Sequence, residues 1–240
     1  MSLLSVAASC LIGAIVGAAV RPLVFARSVP TPARSRRGCP NCTSELLGPR
    51  RLPALPPSGR CPACGERIGP AAGSVELLGA VAFAVITVGG ASGWVAAAQY
   101  WLAACGIALT MIDLAVRRLP DVLTLPAAAG TLLLLAGAAV AGEPGGIGRA
   151  VAAAALVTAV FLLLSLFAGM GLGDVKLAPA IGALLGWSSW QTVLWGTAAG
   201  FAVGAVSAVG LLLAGRGRRE QVAYGPFMLV GALGVSVLIS

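Results

Sequence analysis

The chain has 240 residues, of which 58% are hydrophobic and only 10% charged. A water-soluble domain carries about 25% charged side chains, so a soluble globule is excluded. The net charge of +8 comes from 16 Lys and Arg against 8 Asp and Glu with no His. In so apolar a chain that excess is read as the loop-charge asymmetry of membrane proteins, not as nucleic-acid binding.

Apolar runs near the roughly 20 residues needed to cross a bilayer recur along most of the length. A transmembrane barrel would instead alternate apolar and polar residues in pieces of about ten, and Thr131 to Val140 is a continuous run of Leu, Ala, Gly and Val after its first residue. The expected fold is an all-α polytopic membrane protein of about eight transmembrane helices. The spans are read at 3–20, 74–90, 93–112, 122–141, 147–168, 175–187, 190–214 and 223–239. A small cytoplasmic zinc-ribbon insertion follows the first. The domain boundaries are 1–23 for the first helix, 24–72 for the Cys-containing segment and 73–240 for the membrane core. No internal repeat stands out.

With the amino terminus outside, strict alternation puts Arg21, Arg27, Arg34, Arg36, Arg37, Arg50, Arg51, Arg60 and Arg67 on the cytoplasmic side. Arg117, Arg118, Lys176, Arg216, Arg218 and Arg219 follow, and only Arg149 falls outside. That bias is what the positive-inside rule demands. Both termini are then outside. Small residues inside the spans, such as Gly13 and Gly17 or Gly196, Gly200 and Gly204, are read as helix-packing positions.

Four of the six Cys form Cys39-Pro-Asn-Cys42 and Cys61-Pro-Ala-Cys64, the paired spacing of a four-thiolate zinc site. Two tight turns can present four sulfurs to one ion, and metal binding then supplies the folding free energy that a Pro- and Arg-rich segment lacks. A cytoplasmic location disfavours the competing disulfides. With all four positions filled by protein, the zinc is structural. Cys10 and Cys105 lie in apolar spans and are read as small core residues.

The absence of His removes triads, His-ligated metals and imidazole proton transfer. Acid–base chemistry is left to Glu45, Glu66, Glu76, Asp113, Asp121, Glu143, Asp174 and Glu220. Asp113 ends the third span and Asp174 opens the sixth, both at the cytoplasmic edge by the alternation above. Ionisable groups so placed are functional candidates. Brought together, the two would share a proton and act as acid and base on water attacking a peptide bond. Gly169, Gly171 and Gly173 precede Asp174; without Cβ atoms they allow unusual backbone angles and a close substrate approach. A dinucleotide loop would need a preceding strand, where this run follows a membrane helix. Asp121 reads as the cap of the fourth span or as a support for the acidic pair. Glu76 is either a charge at a helix start or a substrate contact. Lys176 either biases Asp174 or follows the loop-charge rule.

These residues resemble the bacterial type IV prepilin peptidase family, intramembrane aspartic proteases of the GxGD class. The likeness lies in the paired Cys motifs and Val75-Glu76-Leu-Leu. It continues in Ile112-Asp113 with Leu119-Pro120-Asp121-Val-Leu-Thr-Leu-Pro126, then in Gly171-Leu-Gly173-Asp174-Val-Lys176-Leu and Tyr224-Gly225-Pro226-Phe227. The resemblance implies that Asp113 and Asp174 are the catalytic pair. It also implies an inner-membrane enzyme that removes the short basic leader of prepilins or pseudopilins at the cytoplasmic face. Many members then methylate the new amino terminus with S-adenosylmethionine. Members with both activities carry an Asn-containing stretch after the first span, where this chain reads Val20-Arg21-Pro22-Leu23, so the resemblance leaves the methyl transfer open. Membrane lipid and a prepilin are the implied partners, with no nucleic acid. The competing reading is a non-enzymatic membrane anchor whose zinc ribbon docks a cytosolic partner and whose carboxylates only cap helices. An ion-coupled transporter would show paired interrupted helices in two halves, and none is evident.

Overall fold

The computed structural model describes residues 2–30, 33, 35–47, 55–213 and 224–238. Arg34, Arg50, Arg51, Arg216, Arg218, Arg219 and Glu220, used above, lie outside the described residues. Eight helices follow one another: α1 (Leu3–Arg27), α2 (Ser74–Val88), α3 (Gly93–Val116), α4 (Asp121–Val140), α5 (Ile147–Ala168), α6 (Leu172–Ser188), α7 (Trp190–Leu213) and α8 (Gly225–Leu238). Among the described residues there is no strand, only two isolated bridges, Gly38 to Glu45 and Arg60 to Arg67. Five helices (α1, α3, α4, α5 and α7) are long and apolar enough to cross a membrane. With 15, 17 and 14 residues, α2, α6 and α8 are shorter but belong to the same bundle. The chain is a multi-pass membrane protein.

Three boundaries differ from the expected ones by three residues or more, one of them the finish of α3, at Val116 and not 112. The first helix runs past residue 20, and past the boundary at 23, to Arg27. It can do so because Arg21, which would end an apolar span, is neutralised inside the bundle by Glu76 of α2. The sixth helix starts at Leu172, not 175, because the Asp174 amide already donates to the Gly171 carbonyl. That places Asp174 inside the first turn.

Helix termini leave four N–H or C=O groups unsatisfied, and in lipid no water replaces the missing partners. At the end of the bundle away from the Cys segment, two charged side chains do this work. Glu143 accepts the Trp94 and Val95 amides at 2.7 and 3.1 Å, closing the start of α3. Arg149 donates to the Gly186, Trp187 and Ser188 carbonyls, closing the finish of α6. Arg149, the exception to the charge bias, is thus held by a helix end, where a cation offsets the dipole.

At the other end lie the finish of α1, the starts of α2, α4, α6 and α8 and the finishes of α3 and α5. There Arg118 donates to the Ala33 carbonyl of the Cys segment at 3.0 Å. All described basic residues except Arg149 gather at this end, so the expected alternation of loops is met in the order of the helix ends.

The anticipated packing role of the glycines holds. α1 and α2 approach so closely that a Cβ on Gly13 would meet the Gly79 carbonyl, and one on Gly79 the Gly13 carbonyl. Gly17 lies as closely on the Val75 and Glu76 backbone, and Gly200 against Phe227 and Met228 of α8. The α3, α4, α5 and α6 core is built around fully buried Leu102, Leu109, Ile112, Leu135, Phe161, Leu177 and Leu185.

Backbone blocks any side chain at position 79, so Gly79→Leu must push α1 from α2. It should destabilise the protein by about 1–3 kcal/mol, read as a lowered midpoint of thermal unfolding in detergent. Gly210→Leu, where a Cβ meets nothing within 4 Å, should leave that midpoint unchanged.

Candidate active site and metal centre

The two Cys motifs fold into the same turn twice. The Cys39 amide donates to Ser44 O and the Thr43 amide to Cys39 O; Cys61 donates to Glu66 O and Gly65 to Cys61 O in the matching places. Thr43 (φ 56°) and Gly65 (φ 72°) are both left-handed at the residue after the second Cys. This short repeat escaped the search of the sequence because only Cys-Pro-x-Cys is common to both copies.

The four Sγ atoms lie within 4.8 Å of one another. Cys39 and Cys64 are separated by 3.8 Å and Cys42 and Cys61 by 3.7 Å. A disulfide requires about 2.05 Å, whereas Zn–S bonds of about 2.3 Å give a tetrahedral sulfur–sulfur edge of about 3.8 Å. The donor set therefore fits a tetrahedral metal ion. The Cys64 backbone N–H draws the Cys61 thiol down to about 6, and the Ser44 hydroxyl lowers Cys42, both favouring thiolate.

Phe25 of α1, Leu55 and Ile68 pack with Cys39 and Cys61 into a small core. Arg36 fastens it, with its guanidinium 4.4 Å from the centre of the Phe25 ring and donating to Phe25 O at 2.9 Å and Ile68 O at 3.0 Å. The segment is thereby docked on the last turns of α1.

At the same end, α3 and α6 bring Asp113 and Asp174 to one cavity of about 460 Å³. The two residues are only 5% and 6% exposed, and each lies within reach of the other's charge. Its wall includes Arg117, Arg118 and Leu119 beyond α3, residues 168–173 between α5 and α6, Lys176 and Tyr224. Asp113 Oδ2 is buried with no hydrogen-bond partner among the described residues. It faces Gly225, where a Cβ would lie 3.0 Å from that oxygen. The Tyr224 hydroxyl is likewise buried with no hydrogen-bond partner among the described residues. Its ring leans on Phe161, Phe201 and Phe227, 5.3 to 6.3 Å between centroids.

The cavity wall includes Gly171 and Gly173, though not with unusual backbone angles. Gly171 has φ −63°. Gly173 lies in the first turn of α6, its missing Cβ making room for Leu119 at 3.1 Å. Gly169 alone of the three is left-handed, at φ 69°, where it ends α5. The run is therefore a helix stop, a turn and a helix start in five residues.

Asp121 does not cap α4: Pro120 holds that position and Asp121 is in the first turn. Its carboxylate accepts from Lys176 Nζ at 2.5 Å on the exposed rim, so the Lys176 ammonium is directed to Asp121. Glu76 is absent from the cavity. Its two oxygens accept Arg21 Nε at 2.8 Å and Nη2 at 2.5 Å, and Arg21 Nη1 reaches the Pro70 carbonyl at 3.4 Å. A guanidinium 2% exposed must be paired to persist there, and this requirement fixes Glu76. Neither Arg21 nor the cavity contacts of Tyr224 and Gly225 emerged from the residue-by-residue reading. The signal for the latter was a Tyr-Gly-Pro stop just before the last span, on the same side as both Asp residues.

Fold and site together define a polytopic helical membrane protein with a buried pair of carboxylates beside a four-thiolate ribbon. The type IV leader peptidase family matches residues 100–215. A prepilin leader peptidase/N-methyltransferase of Aeromonas salmonicida is 35% identical over 203 residues, 81% of this chain and 68% of that protein. Relatives with the same name in Burkholderia pseudomallei and Neisseria gonorrhoeae are 36% and 31% identical, covering 82% and 80% of this chain and 65% and 67% of theirs. No solved structure matches it. The chain belongs to the type IV leader peptidase family.

Two measurements check these contacts. Glu76→Ala strands Arg21 and should cost about 3–5 kcal/mol in unfolding, with Arg21→Met/Glu76→Met recovering most of it. The purified protein should contain one zinc per chain by elemental analysis, and Cys61→Ser should lose it while α2 to α8 stay inserted.

Proposed function

We propose that this chain is an intramembrane aspartic endopeptidase that removes the leader of type IV prepilins or pseudopilins at the cytoplasmic face of the bacterial inner membrane. The observation that carries this reading is the pair of buried carboxylates, Asp113 and Asp174, on one cavity in a chain of this family. The names of the relatives support the substrate class. The non-enzymatic anchor explains neither the pair nor the kinship.

In this mechanism Asp113 and Asp174 hold one proton between them. The ionised carboxylate takes a proton from water as its oxygen attacks the scissile carbonyl carbon, and the protonated carboxylic acid gives its proton to the carbonyl oxygen. Collapse of the tetrahedral intermediate breaks the C–N bond, and a proton passes to the leaving amine. Gly171 leaves space in the cavity wall for the peptide backbone, and Gly225 lets α8 close on the Asp113 carboxylate. Tyr224 supplies a hydroxyl to the same space. Lys176 and Asp121 hold the mouth through their ion pair. Zinc at Cys39, Cys42, Cys61 and Cys64 would be structural, since four thiolates complete its coordination. Methyl transfer from S-adenosylmethionine to the new amino terminus rests on the relatives' paired name alone.

Coexpression with a prepilin, followed by mass measurement of its amino terminus, tests both steps. Asp113→Asn and Asp174→Asn should each lower cleavage by at least about 100-fold while the protein remains inserted; full activity in either removes the pair. Cleavage should fall at low pH, where both carboxylates are protonated, and at high pH, where both are ionised, with two coupled limbs.

A further inference from the structure

A second, wholly apolar concavity of about 280 Å³ lies between α2, α3 and α8, bordered by Val81, Val85, Gly106, Thr110, Val230 and Gly234 among others. It contains no ionisable residue. Its upper end leads to the carboxylates along two helices. On α3, Gly106, Thr110 and Asp113 follow at spacings of four and three, one face of a helix. On α8, the groove begins at Pro226, next to the Gly225 that faces Asp113 Oδ2. From Pro226 to Gly234 the groove descends about 12 Å, little more than two helical turns. Its outer edges are open, with Val81 51% and Val230 59% exposed. At Gly234 a Cβ would meet nothing within 4 Å, so the wall is low where another helix would lie.

A bond cut at the edge of the membrane by residues at helix ends is reached by a substrate whose following segment lies in lipid as an apolar helix, and we propose that this groove seats the first two turns of that helix, just beyond the bond to be cut. The inference rests on the peptidase reading and adds where the substrate lies. A helix resting one face there points its upper end at Asp113, one turn above Thr110. An uncharged groove requires those two turns to be apolar on the buried face. Gly234, open on its outer side, lets the two backbones come close, the usual means of helix association in lipid. The cavity above, with Asp113 and Asp174 in its wall, receives the extended segment.

The test uses the full chain in membranes with a coexpressed prepilin. A benzoylphenylalanine placed at Val81 or Val230 should attach to the prepilin on illumination, and one at Leu163 or Val206, on other lipid-facing surfaces, should not. Gly234→Trp places an indole in the groove from a position where the Cβ itself meets nothing within 4 Å. It should raise KM for membrane-bound prepilin about ten-fold or more with kcat little changed, while Gly210→Trp on α7 behaves as wild type. Attachment to lipid alone, attachment from Leu163 or Val206 instead, or full activity of Gly234→Trp overturns the groove while wild-type cleavage leaves the peptidase standing. A wild-type chain that leaves prepilin uncut overturns both.

Discussion

Two carboxylates held close together in a low-dielectric bundle repel one another and resist losing water, and much of this end of the molecule follows from keeping them there. Asp113 is at the close of a 24-residue helix and Asp174 in the first turn of another, so each enters from a helix end, not from the middle of a span. Leu119 packs into the space left by Gly173, Gly225 closes on Asp113, and Tyr224 is braced by three aromatic rings. The result is a partly open cavity of about 460 Å³ with both carboxylates in its wall.

The remaining charges are placed by the same cost. Glu143 and Arg149 satisfy helix ends at the far side of the bundle, and Arg21 and Glu76 neutralise each other between α1 and α2. A neutral amide in water needs none of this. In lipid each unsatisfied end costs several kcal/mol, so charged residues here serve structure more often than chemistry.

The ribbon solves a different problem. Its described core amounts to Phe25, Leu55, Ile68 and two buried Cys, too little apolar surface to order a segment of this length. Four thiolates at tetrahedral spacing supply the cross-link, and Arg36 with Arg21 ties the ribbon to α1 and α2. The ribbon thus rides on a helix pair of which one member, α2, forms a wall of the groove proposed for the substrate.

The linear chain was enough to determine the number of helices, the basic end, the thiolate site and the candidacy of Asp113 and Asp174. Each follows from a local rule: apolar run length, loop charge, Cys spacing or the cost of a charge near lipid. Tertiary structure alone decided which charges met. Glu76 read as a helix-start charge or a substrate contact and Lys176 as a bias on Asp174 or a loop charge, yet their partners are Arg21, 55 residues away, and Asp121, also 55 away. Tyr224 reached the cavity and Gly225 the Asp113 carboxylate because α8 packs against α3 and α6; the Tyr-Gly-Pro run marks a helix start but does not say which helices it will meet. The groove beside them exists only where α2 and α3, neighbours in sequence, meet α8 from more than a hundred residues further on and leave a face uncovered.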